Sequence, residues 1–107
     1  MKAVPQEQVI RQLVESDQTG DPDYVEGLIE VVEEHDDWVL GEVDPEDPGI
    51  DFNLHPAKAV EGYYGDDSPV VIAGGFVIDG SHRASAAYHS GTDLRAYIPE
   101  SETEAGA

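Results

Sequence analysis

The sequence predicts an α+β domain, a small mixed β-sheet flanked by helices. Three observations carry that expectation. Two stretches in the first 34 residues repeat their apolar side chains at helical period. Residues 70–98 run through two short apolar strands, a glycine turn, an alanine-rich helix and an alternating strand. A length of 107 residues with 39% hydrophobic content suffices for one small core.

Residues 5–15 form the first expected helix, because Val9, Ile10, Leu13 and Val14 share one face. Asp17-Gln18-Thr19-Gly20 breaks it. Asp21 is placed as an N-cap with Pro22 at the first helical position. The second helix then reaches about residue 34, with Val25, Leu28, Ile29 and Val32 inward and Glu26, Glu30, Glu33 and Glu34 outward. Gly27 weakens it by about 1 kcal/mol relative to Ala. Trp38-Val39-Leu40, with Val43 beyond, reads as a strand and Trp38 as core. Two prolines and a glycine make residues 44–49 a loop. Residues 50–54 suit a short extended piece, and residues 56–64 a third helix entered at Pro56 and stopped by Gly65.

Asp66-Asp67-Ser68-Pro69 is a turn. Val70-Val71-Ile72 and Phe76-Val77-Ile78 form a hairpin around Ala73-Gly74-Gly75. Asp79-Gly80-Ser81 ends the second strand, with Ser81 an ordinary N-cap, and a helix over residues 82–89 closes at Ser90-Gly91. Leu94, Ala96 and Ile98 alternate with Arg95 and Tyr97, which predicts a half-buried last strand. These elements make one domain over residues 1–99, with acidic helices in residues 1–37. Residues 100–107 read as a disordered acidic tail.

The chain carries 24 acidic and 5 basic side chains, a net charge of −19. That deficit of Lys and Arg excludes broad gripping of DNA phosphates. The absence of cysteine excludes disulfides, thiolate metal sites and cysteine nucleophiles. No apolar run is long enough for a transmembrane helix, and no apolar stretch follows the N-terminus. Neither a membrane association nor a secretory leader is expected, and the predicted compartment is the cytoplasm. Fifteen of the acids lie between residues 15 and 51, where there is no Lys or Arg. Residues 52–99 hold five acids, three bases (Lys58, Arg83, Arg95) and three of the four His, a background that tolerates an anionic ligand. The acidic half fits a halophilic surface adapted to high salt, a solvated helical face, or a mimic of DNA phosphates that docks a basic protein partner.

Residues 75–88 carry the most chemistry. A strand enters a glycine turn, and the helix that follows holds His82 and Arg83 in its first turn. Such a start offers unpaired N–H groups and the positive end of the helix dipole, where phosphate binds. Gly80 permits close backbone approach, Arg83 offers a bidentate fork, and His82 donates a hydrogen bond or, when protonated, a charge. The same residues also suit a plain turn, with Ala84, Ala87 and Tyr88 packing the helix and a wet face at His82 and His89.

Val77-Ile78-Asp79-Gly80-Ser81-His82-Arg83-Ala84-Ser85-Ala86-Ala87 resembles the signature box of the ParB N-terminal/sulfiredoxin-like superfamily. There a strand runs into a Gly-x-x-Arg-x-x-Ala or Gly-x-His-Arg turn that starts a helix. Gly80, Arg83 and Ala86 match the first pattern, and Gly80, His82 and Arg83 the second. The order of elements over residues 38–99 is also similar. The resemblance implies a site for the phosphates of ATP or CTP with Mg²⁺, bound by Gly80, Ser81, His82 and Arg83. It implies NTP hydrolysis or phosphoryl transfer as the reaction. Asp79, read from the residues alone, can hold a metal, act as a base beside the phosphate or serve as a turn residue, so Asp79, His82 and Arg83 are the catalytic candidates and no metal site built by the protein is expected. Ser81 stands where sulfiredoxins carry their catalytic cysteine, so sulfinate reduction is not expected. With 24 residues after Arg83, this sequence alone is not expected to partition DNA as the partition proteins do, through their DNA-binding and dimerisation domains. The contrasting expectation is a non-catalytic acidic module of DNA-mimic or regulatory type.

Three lesser candidates remain. His55 before Pro56 can face the same cleft or simply mark a helix entry. Asp66-Asp67 can bind Mg²⁺ or form a solvated turn. His35-Asp36-Asp37 has metal-compatible atoms, but three consecutive residues rarely converge on one ion.

Overall fold

The computed structural model describes residues 2–103. Its spine is the last strand, here β5 by chain order (Leu94–Pro99). Leu94, Ala96 and Ile98 point to one face and Tyr97 to the other, as the period of two requires. Both faces are buried, so the expected half-buried strand is central instead. Tyr97 is only 5% exposed because helices cover the face that the alternation had assigned to water.

Helices α1 (Gln6–Ser16) and α2 (Pro22–Glu33) form that cover. Val9, Leu13 and Val32 meet Trp38, Val71, Ala73 and Tyr97 in one core. Asp21 caps α2 as expected, accepting from the N–H groups of Asp23 and Tyr24, and Pro22 fills the first position. Helix α3 (Ser81–Ser90) covers the other face, where Ala84 and Ala87 meet Phe52, Val70, Ile72, Ala96 and Ile98. The sheet therefore lies between two helical layers.

Strands β1 (Lys2–Val4), β2 (Trp38–Val43), β3 (Val70–Ala73) and β4 (Phe76–Asp79) complete a five-stranded sheet in the order β1-β2-β5-β3-β4. β3 and β5 run parallel and every other pair is antiparallel. A parallel pair needs a crossover, and β4 with α3 supplies it. Strand β1 was not anticipated, since three residues are too few to show a period. β4 is the outer strand, and Asp51 bonds to its edge, donating to the Gly75 carbonyl (2.7 Å) and accepting from the Val77 N–H (3.0 Å).

Two expectations change. Residues 56–64 are no α-helix but a 3₁₀ segment, Ala57–Tyr63, broken at Val60 (φ −120°). Val60 is fully buried, and drawing it inward against α3 takes precedence over a regular helical turn. Residues 100–103 are not a loose tail. The Glu100 N–H donates to the Asp37 carbonyl (2.9 Å), the Gly74 N–H donates to the Glu102 carboxylate (2.8 Å), and Thr103 is buried. The rest of that expectation, residues 104–107, lies outside the described residues. Among the described residues, no helix is long and apolar enough to cross a membrane.

The entry to α3 depends on Gly80. Its φ is +95°, and a Cβ there would lie 2.6 Å from Val70 Cγ1 and 2.8 Å from Arg83 Nη2. Gly91, which ends α3 at φ +69°, has open space around it. Gly80→Ala is therefore expected to destabilise the fold by about 3 kcal/mol, combining left-handed strain with overpacking. Gly91→Ala should cost only about 1 kcal/mol, from the strain alone. Urea unfolding of the two variants checks the difference.

Candidate functional site

A cavity of about 300 Å³ opens between the α1–α2 connection and the start of α3. That volume is at the lower end of ligand pockets and suits a phosphate group or a small organic molecule better than an entire enclosed nucleotide. Asp79, Gly80, Ser81, His82 and Arg83 all border it, so the residues singled out in the sequence do converge. Ser16, Asp17, Gln18, Thr19 and Tyr63 close the polar side.

The roles within the cluster differ from residue to residue. Arg83 is 8% exposed. Its Nη2 donates to the Pro69 carbonyl (3.0 Å) and to Asp79 Oδ2 (3.2 Å). The guanidinium therefore ties β4 and the start of β3 to α3, and it does not reach out as a free fork. Its buried Nε finds no hydrogen-bond partner among the described residues. Asp79 is the other half of this pair. Burial pushes its carboxyl above the ordinary 3.8, and the neighbouring Arg83 offsets part of that rise. Gly80 makes its close approach to Val70 and Arg83.

Ser81 is not the N-cap. Gly80 occupies that position and, having no side chain, leaves the first-turn amides of α3 without a cap. The Ser81 hydroxyl is freed for another contact, His55 Nε2 at 3.1 Å. His55 does not itself border the cavity; it stands behind Ser81 and His82, which do. Its ring stacks on His82 with centroids 4.2 Å apart and planes within 10°. Tyr63 stacks on the ring of His82 at 5.1 Å and donates its hydroxyl to Gln18 Oε1 (3.0 Å). Burial lowers the His82 pKa from 6.5, and its neighbour His55 lowers it further, so the neutral form of His82 is favoured.

The charge at the site is less favourable to anions than the sequence suggested. The balanced segment supplies Asp79 and Arg83, which neutralise one another. The base-free segment folds across and supplies Asp17. Thr19 donates to Asp17 through its hydroxyl (2.6 Å) and its N–H (2.8 Å), which holds the Asp17 carboxyl below 3.8 and ionised.

Other candidates resolve into structural roles. Asp66 accepts from the Ser68 N–H, and the Asp67 carbonyl accepts from Arg95. The His35 carbonyl accepts from Gln6 and from the indole of Trp38, which is core. Among the described residues there is no group of three or more His, Asp or Glu side chains able to hold a metal ion. Gln18, Thr19 and Tyr63 lay beyond the reach of sequence reasoning, because only the tertiary fold brings the α1–α2 connection and the 3₁₀ segment to α3. Neither protein-family models, nor curated proteins, nor solved structures give a match to this chain.

Two outcomes are expected. Arg83→Ala should destabilise the protein by about 3 kcal/mol or more, since it leaves a buried carboxylate unpaired. Equilibrium urea unfolding reads this directly. For Asp79 the native state holds a proton between pH 3.8 and its raised value that the unfolded state releases. Its contribution to stability is thus fully present below pH 3.8 and is lost as pH rises through the raised value. Wild-type stability measured relative to Asp79→Asn should therefore decline over that interval. A relative increase would mean that Arg83 outweighs burial.

Proposed function

We propose that the protein binds a phosphate-bearing small molecule, a nucleotide such as ATP or CTP, with its phosphate on the first turn of α3. The observation that supports this reading is the uncapped start of α3. Gly80 offers no capping side chain, so the N–H groups of Ser81, His82 and Arg83, residues that border the cavity, have no intrahelical acceptor. The resemblance of the box to the ParB N-terminal/sulfiredoxin-like superfamily points to the same atoms. In this arrangement the Ser81 hydroxyl and the His82 ring add hydrogen bonds. Arg83 holds the turn in place through Asp79 and the Pro69 carbonyl and makes no direct contact with the ligand.

The acidic surroundings decide how such a ligand arrives. Asp17 is ionised, and Asp79 cancels the charge of Arg83, so a bare polyphosphate meets net repulsion. The described residues build no metal cluster of their own. Mg²⁺ would thus come on the nucleotide and screen its charge. Asp79 and Arg83 hold one another, which leaves binding, and not NTP turnover, as the activity that these residues support.

Isothermal calorimetry with inorganic phosphate, Mg²⁺–ATP and Mg²⁺–CTP tests the reading. At least one of them should give a saturable signal. Ser81→Ala should weaken it about fivefold, the worth of one neutral hydrogen bond, with the fold unchanged. Absence of binding to all three contradicts the proposal.

A further inference from the structure

Ser81 and His55 form a side-chain pair at the start of α3. Ser81 opens α3 immediately after the left-handed Gly80, so its hydroxyl stands at a sharp strand-to-helix turn bordering the cavity. The partner of that hydroxyl is His55 Nε2, at 3.1 Å. His55 is itself held from several sides. Its N–H donates to Ser85 Oγ (2.7 Å), its carbonyl accepts from His89 Nε2 (2.8 Å), and its ring lies on His82. Ser85 is fully buried and donates its own hydroxyl to the Ser81 carbonyl (2.8 Å), so one side chain fixes both members of the pair. With the His55 proton on Nδ1, Nε2 accepts from Ser81, which is the relation of a general base to a nucleophile.

Two further features suit acyl transfer. The N–H of His82, next after the serine on an uncapped helix start, can hold a developing oxyanion. The Nε–H that finds no partner among the described residues belongs to Arg83, a cation more than nine-tenths buried that also borders the cavity. Leu13, Val25, Leu28 and Ile78 supply apolar lining to the same cavity. Asp17 disfavours an anionic substrate, whereas a neutral one acquires charge only in the transition state.

We infer that Ser81 is a nucleophile activated by His55 and that the cavity hydrolyses small, neutral carboxylic esters. The Ser81 oxygen attacks the carbonyl carbon as its proton passes to His55 Nε2. The C–O bond to the alcohol then breaks, and His55 returns the proton to the departing alkoxide. Water attacks the acyl-serine next, giving its proton to His55. Collapse releases the carboxylic acid and restores the Ser81 hydroxyl. This activity does not require the phosphate ligand, and its test is independent of phosphate binding.

The experiment treats the full chain with diisopropyl fluorophosphate and maps the adduct by mass spectrometry. Attack forms the Oγ–P bond, breaks the P–F bond and releases fluoride, with the proton leaving through His55. One adduct is expected, on Ser81, and none in Ser81→Ala. His55→Ala should slow labelling and p-nitrophenyl acetate hydrolysis on the order of a hundredfold, with partial rescue by added imidazole. Thermal unfolding shows whether the variant is folded, and His55→Asn takes its place if it is not. No adduct on Ser81, or an unchanged labelling rate in a folded His55 variant, overturns the inference.

Discussion

The buried Asp79–Arg83 pair, packed directly over Gly80, is the contact on which the rest of this structure depends. It joins the end of β4 to the first turn of α3, and through the Pro69 carbonyl it also anchors the approach to β3. Those elements form the crossover that makes β3 and β5 parallel, so the pair stands at the hinge of the topology. Removing water from both charges is unfavourable, and their attraction recovers that loss only when the remaining donors are satisfied. One donor, the Arg83 Nε, is not satisfied among the described residues. The pair thus fixes geometry more than it adds stability, and the geometry it fixes is an uncapped helix start beside a cavity.

Much of the fold was legible because its signals are local. The period of Val9, Ile10 and Leu13, the Asp21-Pro22 start and the Gly91 stop each depend on neighbours in sequence, whereas Val14, read on the same face, is 55% exposed. What escaped depends on distant partners. β1 exists because β2 offers Lys2-Ala3-Val4 a ladder. Tyr97 is buried because α1 and α2 close over it, and residues 100–102 are ordered because Asp37 and Gly74 bond to them. The segment before α3 lost its α-helix to the burial of a single valine.

The candidate site shows the same division. The box from Asp79 to Arg83 was visible as a motif, and its residues do converge. Their division of labour was not visible. Arg83, the residue expected to meet a phosphate, is committed to Asp79, and Ser81, expected to cap, is released to meet His55. A glycine at the N-cap position causes the second change. The uneven charge also reads differently in three dimensions. Of the fifteen acids in the base-free stretch, Asp17 reaches the cavity, while those on the outer face of α2 stay in water. The site is therefore less neutral than the segment that supplies its motif.

The central claim is that the uncapped first turn of α3 is where a ligand binds. Backbone amide NMR during titration with Mg²⁺–ATP or Mg²⁺–CTP tests it most directly. The account predicts saturable shifts centred on the amides of Ser81, His82 and Arg83, with smaller ones at Gln18 and Thr19 across the cavity. Shifts confined to the acidic face of α2, or none at α3 while the nucleotide binds, would contradict it.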